Sequence, residues 1–322
     1  MIQLSQRALA YLNEVIHHGS LRRAARHLNV DPSAISRQLA ALEEQLGIRL
    51  LERTPQGVRS TEAGELLVGH YRQQRASEEG VLSRLSDLQG LRQGKVRIAV
   101  GEGFVADLIA QPLQSFILRY PGIELEVRMA GANEAVGLVK EDAVDFALVY
   151  SPAEDGALAI HVDTRQPLDL IVPPDHDLTR LDGPVPMSAL RGESLALIYN
   201  NTGMGQLAHV VAQLEHVELR PKLRTNSVAV LTNFVKSGIG VAFMPELTVI
   251  QELERGQIRR LPLANAALRD ARARIVSHKG RELTVASIAC LEHLQRGMRF
   301  FSGDAPSFEA EPALPLRHRH RP

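Results

Sequence analysis

The sequence contains a single cysteine and no tryptophan among its 322 residues. One cysteine cannot build an internal disulfide framework or a cysteine-rich metal site. Aromatic residues make up only 4% of the chain, which argues against a stacking platform for single-stranded nucleic acid. No apolar run approaches the roughly 18 residues needed to cross a bilayer, and the chain does not open with a cationic segment followed by a long apolar one. These absences predict a cytoplasmic protein with no membrane partner.

The net charge is zero, because 37 lysines and arginines balance 37 aspartates and glutamates. A polycation that coats nucleic acid is therefore excluded, but a local basic patch is not. Residues 1–75 carry ten arginines against seven acidic residues, and the last six residues add three arginines. The stretch between them has six more acidic than basic residues. A basic first segment thus precedes an acidic body.

Residues 1–58 show the periodicity of short helices, and residues 20–47 predict two of them joined by a tight turn. The small side chains of Ala24 and Ala25 allow a second helix to cross closely. Asp31 suits an N-cap and Pro32 the first helical position, while Gly47 is a helix stop. The second helix then opens with polar side chains suited to a major groove, namely Ser33, Ser36, Arg37 and Gln38. The alternative is a three-helix domain with a solvated polar face.

Residues 61–90 predict one longer helix that Thr61 can cap. Its apolar residues are spaced as in a helix that pairs with a second copy of itself. The candidate pairing residues are Leu67, Tyr71, Val81, Leu85 and Leu88. The alternative is an amphipathic helix on the surface of a monomer.

From Lys95 onward, stretches that alternate like strands are interleaved with stretches that have helical spacing. This order is typical of an α/β fold with a parallel sheet covered by helices. The predicted strands are 96–100, 123–129, 145–150, 168–172, 195–199, 219–225, 239–244, 258–263 and 271–277. A break at Pro112 is expected within the helix that starts near Val105.

Gly101 and Gly103 fit the pattern G-x-G-x-x-A between a strand and a helix, which is found in dinucleotide-binding folds. Such a fold also needs an acidic residue at the end of its second strand, and residues 127–131 contain none. We therefore do not expect nucleotide binding. A glycine at a helix start still exposes backbone N–H groups, which favour a negatively charged ligand.

No pattern in the sequence indicates catalysis. The motifs H-E-x-x-H and G-x-S-x-G are missing, and Cys290 lies in an apolar stripe typical of a core residue. His17 and His18 have no partner spacing that indicates a metal site. We expect no catalytic residue, no metal and no cofactor.

Residues 1–64 resemble the winged helix-turn-helix of LysR-type transcriptional regulators. The resemblance rests on Gly19-Ser20, Ala24-Ala25, Leu28, Ala34-Ile35-Ser36-Arg37-Gln38, Leu42-Glu43-Glu44, Leu46-Gly47, Leu50-Leu51-Glu52-Arg53-Thr54 and Ser60-Thr61-Glu62-Ala63-Gly64. The rest of the chain, to about residue 300, resembles the same family in length and in the order of strands and helices.

The resemblance implies three parts and a tail. Residues 1–60 would be the DNA-binding domain, 61–90 the dimerisation helix and 91–301 an effector domain like the type 2 periplasmic binding proteins. Its two lobes would be about 95–165 with 266–300, and about 166–265. We expect disorder in residues 302–322, which are rich in proline, arginine and histidine.

The resemblance also implies two binding sites. The DNA contacts would be Ser33, Ser36, Arg37 and Gln38, with Arg53 and Arg59 on the wing. The small-molecule effector would lie among Glu102, Gly103, Phe104, Asn133, Asn201, Thr202, Asn226 and Ser227, although helix capping explains the Asn, Ser and Thr residues equally well. Many relatives have Ser or Thr where this chain has Glu102-Gly103, so an inward-facing Glu102 would oppose a carboxylate and favour a cationic, zwitterionic or neutral effector.

The implied function is regulation of transcription. A homodimer or homotetramer would bind double-stranded DNA, and the effector would change DNA bending and the access of RNA polymerase. Two alternatives stay open: a cytoplasmic small-molecule-binding protein, and an enzyme acting on a small acid.

Overall fold

The first part of the chain folds into a small helical domain with a two-stranded wing, which we call the head. The structure is a computed structural model that describes residues 4–54, 57–87 and 94–301. The head contains α1 (Gln6–His18), α2 (Leu21–His27), α3 (Pro32–Leu46), β1 (Leu51–Thr54) and β2 (Gly57–Ser60). Gly19 and Gly47 take the left-handed conformation at the ends of α1 and α3, with φ of 58° and 67°, as the sequence predicts.

Small and apolar residues of the three helices form the core of the head. Ala24 and Leu9 are fully buried, and so is Ile35 of α3. The absence of large side chains on the buried face of α2 lets the helices approach closely, because methyl groups occupy the crossing point. This packing fixes the direction in which α3 presents its polar face.

The fourth helix, α4 (Glu62–Asp87), leaves the head directly after the wing. Thr61 caps it by accepting a hydrogen bond from the N–H of Gly64 at 3.1 Å, as predicted. Leu67 and Tyr71, two of the expected pairing residues, are partly buried and pack against the core of the head. Val81 is 55% exposed. Leu66, which was not among the predicted pairing residues, is 75% exposed. Leu85 lies on the same helix, and Leu88 lies outside the described residues.

The body contains two five-stranded sheets. The first has the order β4-β3-β5-β12-β6, with β3 (Gly94–Val100) parallel to β4 (Ile123–Met129) and to β5 (Phe146–Tyr150). The other two strands of this sheet are β6 (Leu158–Arg165) and β12 (Arg272–His278). The helices next to its strands in the chain are α5 (Val105–Ala110), α6 (Pro112–Arg119), α7 (Ala132–Lys140) and α12 (Val285–Gly297). The predicted break at Pro112 is confirmed. Strand β6 was not predicted.

The second sheet has the order β11-β7-β10-β8-β9. Its strands and the helices between them are β7 (Asp169–Val172), β8 (Leu195–Ile198), α8 (Gly203–Leu214), β9 (Pro221–Thr225), α9 (Val228–Lys236), β10 (Val241–Met244), α10 (Ile250–Glu254), β11 (Arg259–Leu261) and α11 (Ala266–Arg269). Strand β8 runs parallel to β9 and β10, but β7 is antiparallel to both of its neighbours. The expectation of a parallel sheet is therefore confirmed for β8, β9 and β10 but wrong for β7. The chain between β7 and β8 has only two short 3₁₀ turns, whereas parallel strands usually need a helical crossover.

Packing divides the chain into two compact units. The first comprises Met1–Val100, Tyr120–His161 and Ile275–Ala289, and so includes the head. The second comprises Gly101–Arg119, Val162–Arg274 and the residues from Cys290 onward, and so includes the second sheet. The tail for which disorder is expected, residues 302–322, lies outside the described residues. None of the described helices is both long and apolar enough to span a membrane.

Candidate DNA-binding and effector sites

Helix α3 is capped by the acidic residue that precedes it. Asp31 Oδ1 accepts a hydrogen bond from the N–H of Ser33 at 2.7 Å. Hydrogen bonding to Ser33 lowers the pKa of the Asp31 carboxyl below its usual range. The predicted role of Asp31 as an N-cap is confirmed, and its carboxylate is committed to the helix backbone.

Three of the predicted DNA contacts share one face of α3. Ser33, Ser36 and Arg37 are three and four residues apart, which places them on the same side of a helix. Ser33 and Arg37 are exposed, whereas Ile35 on the opposite side is fully buried. Gln38 is also exposed, but it lies about 100° around the helix from Arg37. The first three therefore form the centre of this polar face, and Gln38 its margin.

An open surface cavity of about 510 Å³ joins this face to the wing and to the start of α2. Its lining residues are Ser20, Leu21, Arg22, Pro32, Ser33, Ser36, Thr54, Gly57 and Val58. Arg22 is an exposed cation in this set and was not among the predicted DNA contacts. Its signal was present in the sequence, because Arg22 follows the N-cap Ser20 and first turns of such helices often contact phosphates.

The wing is fixed against the turn that follows α1. The N–H of Val58 donates to the carbonyl oxygen of Gly19 at 3.0 Å. Gly57 has φ of 138°, and a Cβ there would collide with the same oxygen, so this position requires glycine. In the register of the hairpin, Arg53 lies opposite Val58, and the exposed Arg59 lies opposite Glu52. This packing holds the wing at one side of the polar face of α3.

In the second unit, the side chain of Glu102 lies at the start of α9. Its Oε1 atom accepts a hydrogen bond from the N–H of Val228, the first residue of α9, at 2.8 Å. Ser227 precedes α9 but makes no side-chain cap. The carboxylate therefore satisfies a backbone donor that an anionic ligand would otherwise bind.

Gly103 lies in tight contact with the same region. Its carbonyl oxygen accepts a hydrogen bond from the hydroxyl of Thr248 at 3.3 Å. A Cβ on Gly103 would lie 3.3 Å from that hydroxyl and 3.4 Å from the Met204 methyl group, so a larger residue would displace these neighbours. The ring of Phe104, another predicted effector contact, is only 1% exposed. It packs against Phe300 at 4.6 Å between ring centroids.

Among the remaining effector candidates, Thr202 is a helix cap. The Thr202 hydroxyl accepts from the N–H of Gly205 at 3.1 Å and donates to the Tyr199 carbonyl at 2.8 Å. Asn201 and Asn226 are exposed. Asn133 is exposed as well and lies on α7, in the first unit.

Glu102 and Gly103 line an open cavity of about 980 Å³ within the second unit. Its other charged lining residues are Asp107, Lys236, Glu252, Glu254, Arg255 and Arg299. Burial raises the pKa of the Asp107 carboxyl, which accepts a hydrogen bond from the N–H of Phe300 at 3.0 Å. Asn201, Thr202, Asn226 and Ser227 do not line this cavity. Acidic and basic side chains nearly balance around it, and the carboxylate of Glu102 is one of the acidic groups.

Both parts of the chain match models of one protein family. Residues 6–65 match the bacterial regulatory helix-turn-helix protein of the lysR family, and residues 89–299 match the LysR substrate binding domain. Together these two matches span most of the chain. The chain belongs to the LysR family of bacterial transcriptional regulators. It is therefore a DNA-binding regulator with an effector-binding domain.

Two relatives illustrate the range of the LysR family. A probable RuBisCO transcriptional regulator of Porphyra purpurea is 27% identical over 266 residues, which cover 81% of this chain and 84% of the relative. The HTH-type transcriptional regulator PtxR of Pseudomonas aeruginosa is 29% identical over 258 residues, or 77% and 78% of the two chains. Both relatives are named as regulators, not as enzymes.

The fold agrees with solved LysR structures. A full-length OxyR variant from Pseudomonas aeruginosa superposes with a TM-score of 0.68 over 97% of this chain and 100% of that one, at 17% identity. At this identity the likeness concerns the fold alone. Cys290 of this chain is fully buried, as expected for a core residue.

Proposed function

We propose that this LysR-family chain reads its operator with Ser33, Ser36 and Arg37 of α3 and anchors to the flanking phosphates with Arg22 and Arg59. The observation that carries this proposal is the open surface cavity formed by the starts of α2 and α3 and by the wing. Serine hydroxyls and a guanidinium on one helix face are suited to base edges. Helix starts and arginines are suited to phosphate oxygens.

We further propose a homodimer or homotetramer that pairs through the outer face of α4. One helix-turn-helix covers too few base pairs for useful specificity, so a second head must read an adjacent half-site. Leu66 and Val81 support this assignment, because both are large apolar side chains exposed on α4. The heads of a pair would then be separated by about 34–36 Å, one turn of DNA.

The effector is proposed to bind near Glu102 and to carry a positive charge or a hydroxyl donor. Glu102 supports this, because its carboxylate already occupies the N–H of Val228. A carboxylate ligand at that helix start would meet a like charge. Binding would shift the balance between conformations of the oligomer and so change DNA bending and the access of RNA polymerase. We propose that the ligand is sensed and not transformed, so the chain is not an enzyme.

Selection of genomic DNA fragments by the full-length protein tests the DNA-binding proposal. We expect enrichment of a two-fold symmetric site with half-sites about 10 base pairs apart. The Arg37→Ala variant should lose this enrichment while its oligomeric mass in light scattering stays the same. Equal enrichment by the variant would contradict the role of Arg37.

A thermal-shift screen of the full-length protein tests the effector proposal. Ligands grouped by charge are compared, because a ligand that binds only the folded state raises the melting temperature. We expect cationic, zwitterionic or polyhydroxylated compounds to shift it, and simple carboxylates not to. Incubation of each active compound with the protein, followed by mass analysis of the compound, tests whether it is turned over.

A further inference from the structure

Three side chains of the head meet at the junction of α1 and α2. Glu14 and His18 are four residues apart on α1, and His27 is the last residue of α2. The Nε2 atoms of His18 and His27 lie 3.5 Å and 3.7 Å from Oε2 of Glu14. All three potential ligand atoms lie within 4.8 Å of one another. No metal ligands were expected here, because these residues have no recognisable spacing in the sequence. The turn at Gly19 and Ser20 brings them together.

These distances suit coordination of one metal ion better than hydrogen bonding. Zinc–nitrogen and zinc–oxygen bonds of roughly 2.0–2.2 Å place tetrahedral ligand atoms about 3.4 Å apart. Two of the three separations here are close to that value. Two histidines and one glutamate are also a ligand set found at zinc sites with an open fourth position.

The environment of His18 adds an independent argument. Its Nε2 atom is buried and has no hydrogen-bond partner in the described part of the chain. A buried polar atom without a partner is uncommon in folded proteins and calls for a specific cause. A metal ion between His18, His27 and Glu14 would supply the missing partner.

A second layer of contacts holds the carboxylate in place. Oε1 of Glu14 accepts a hydrogen bond from the amide of Asn13 at 3.3 Å, and Arg72 of α4 donates to Oδ1 of Asn13 at 2.9 Å. These contacts engage one oxygen and leave Oε2 directed toward the histidines. Outer contacts of this kind are a regular feature of metal sites, where they orient the ligands.

The chemistry of the cluster selects the class of metal. Imidazole nitrogens suit late transition metals, whereas Mg²⁺ and Ca²⁺ require several oxygen ligands. Only one carboxylate is present in this cluster. The open cavity of about 430 Å³ beside it is lined by five arginines and by the further carboxylates of Glu141 and Asp142. We propose that Glu14, His18 and His27 bind one divalent transition-metal ion, with the properties of Zn²⁺, and thereby fasten α1 to α2. Since α2 supports α3, bound metal would stabilise the DNA-binding head.

Titration of the untagged, metal-free full-length protein with Zn²⁺ tests this proposal, and Co²⁺ absorption reports the ligand geometry. We expect one site per chain in this region and a higher melting temperature with metal. His27→Gln and Glu14→Gln should weaken binding about 100-fold or more, and Asn13→Ala about 10-fold. His27 is the preferred variant, because its side chain is 63% exposed and its loss leaves the core intact.

Two controls separate this site from other histidines. His17→Gln removes the exposed neighbour on α1, whose ring centroid is 4.9 Å from that of His18, and should leave binding unchanged. The double variant His318→Gln and His320→Gln should also bind as the wild type does. Absence of zinc binding to the wild type would overturn the proposal. So would binding that survives His27→Gln and Glu14→Gln, or that depends on the control positions.

Discussion

The carboxylate of Glu102 and the backbone N–H of Val228 share a 2.8 Å hydrogen bond, although the residues are 126 positions apart in sequence. The negative charge lies against the positive end of α9, where it is stabilised by the helix dipole. The protein therefore supplies from its own chain the anion that such a helix start favours. This relationship is the basis of the effector preference that we propose.

Replacement of Glu102 should change the charge preference of the effector site. In Glu102→Ser, a hydroxyl replaces the carboxylate and the N–H of Val228 becomes available, so small carboxylates should now raise the melting temperature. Without ligand the variant should be less stable by about 1 kcal/mol, as for the loss of a helix cap. Chemical denaturation measures the loss, and a thermal-shift screen measures the preference.

The matched control for this change is Glu102→Gln, which keeps the size of the side chain and removes its charge. It should lose the response to cationic ligands without gaining a full response to carboxylates. If wild type and Glu102→Ser respond to the same compounds, Glu102 does not select the effector.

The two arginines near the polar face of α3 should affect DNA binding in different ways. Arg37 lies on this face, so Arg37→Ala should reduce the preference for operator over random DNA by about 1–3 kcal/mol. Arg22 lies at the start of α2, so Arg22→Ala should weaken both kinds of binding to a similar extent. It should also reduce the slope of the logarithm of the binding constant against the logarithm of the salt concentration by about one, as for the loss of one phosphate contact. Fluorescence anisotropy at several salt concentrations separates these effects.

Arg220→Ala controls for the loss of one positive charge, because Arg220 pairs with Glu218 in the second unit. This variant should bind DNA as the wild type does. Equal salt slopes for Arg22→Ala and wild type would remove Arg22 from the proposed interface.

Local signals in the sequence predict much of the fold. Asp31 and Thr61 cap helices, Gly19 and Gly47 end them, and Pro112 breaks one, because each acts on backbone groups within a few residues. The same reasoning could not predict the direction of β7, which depends on where distant strands lie. It also did not predict that Leu67 and Tyr71 contact the core of the head, since one apolar face can pack against its own domain or against a second chain.

The candidate sites show the same limit. The polar face of α3 follows from the spacing of Ser33, Ser36 and Arg37, and the structure adds Arg22 from a neighbouring helix. The bond between Glu102 and Val228 and the meeting of His18 with His27 depend on tertiary contacts. No local pattern records such contacts in a single sequence.

A buried ion pair in the first unit should be important for stability. Arg281 donates to Asp145 at 2.7 Å, and both side chains are only 3% exposed. Asp145 also accepts from the hydroxyl of Ser287 at 3.1 Å and from the N–H of Arg97 at 2.8 Å. Asp145→Ala would leave the buried guanidinium of Arg281 without this carboxylate, so we expect a loss of about 3–5 kcal/mol. Urea denaturation measures the change.

A surface ion pair provides the comparison. Arg296→Ala removes an exposed contact with Glu292 of 2.8 Å within α12, and such pairs contribute little to stability. Its denaturation midpoint should stay close to that of the wild type. Similar midpoints for Asp145→Ala and Arg296→Ala would show that the buried pair adds little to stability.

The pH dependence of stability should reflect His293 in the second unit. Burial lowers the pKa of its imidazole below the ordinary 6.5, and the positive charges of Arg119 and Arg296 act in the same direction. Nε2 of His293 lies 2.7 Å from the hydroxyl of Ser115. Between the lowered folded pKa and the unfolded value, the unfolded chain binds more protons. This contribution to stability is therefore fully present above pH 6.5 and is lost as the pH falls through the folded pKa.

His293→Gln should flatten this acid-side dependence, because glutamine does not titrate and can still bond to Ser115. Melting temperatures measured between about pH 5 and pH 8, where histidine charge changes, give the slope for each protein. His209→Gln, at an exposed position of α8, controls for the loss of a histidine as such. If wild type and His293→Gln lose stability in parallel on acidification, other groups govern the acid response, and the neutral His293 is not required for the packing of α12 against α6.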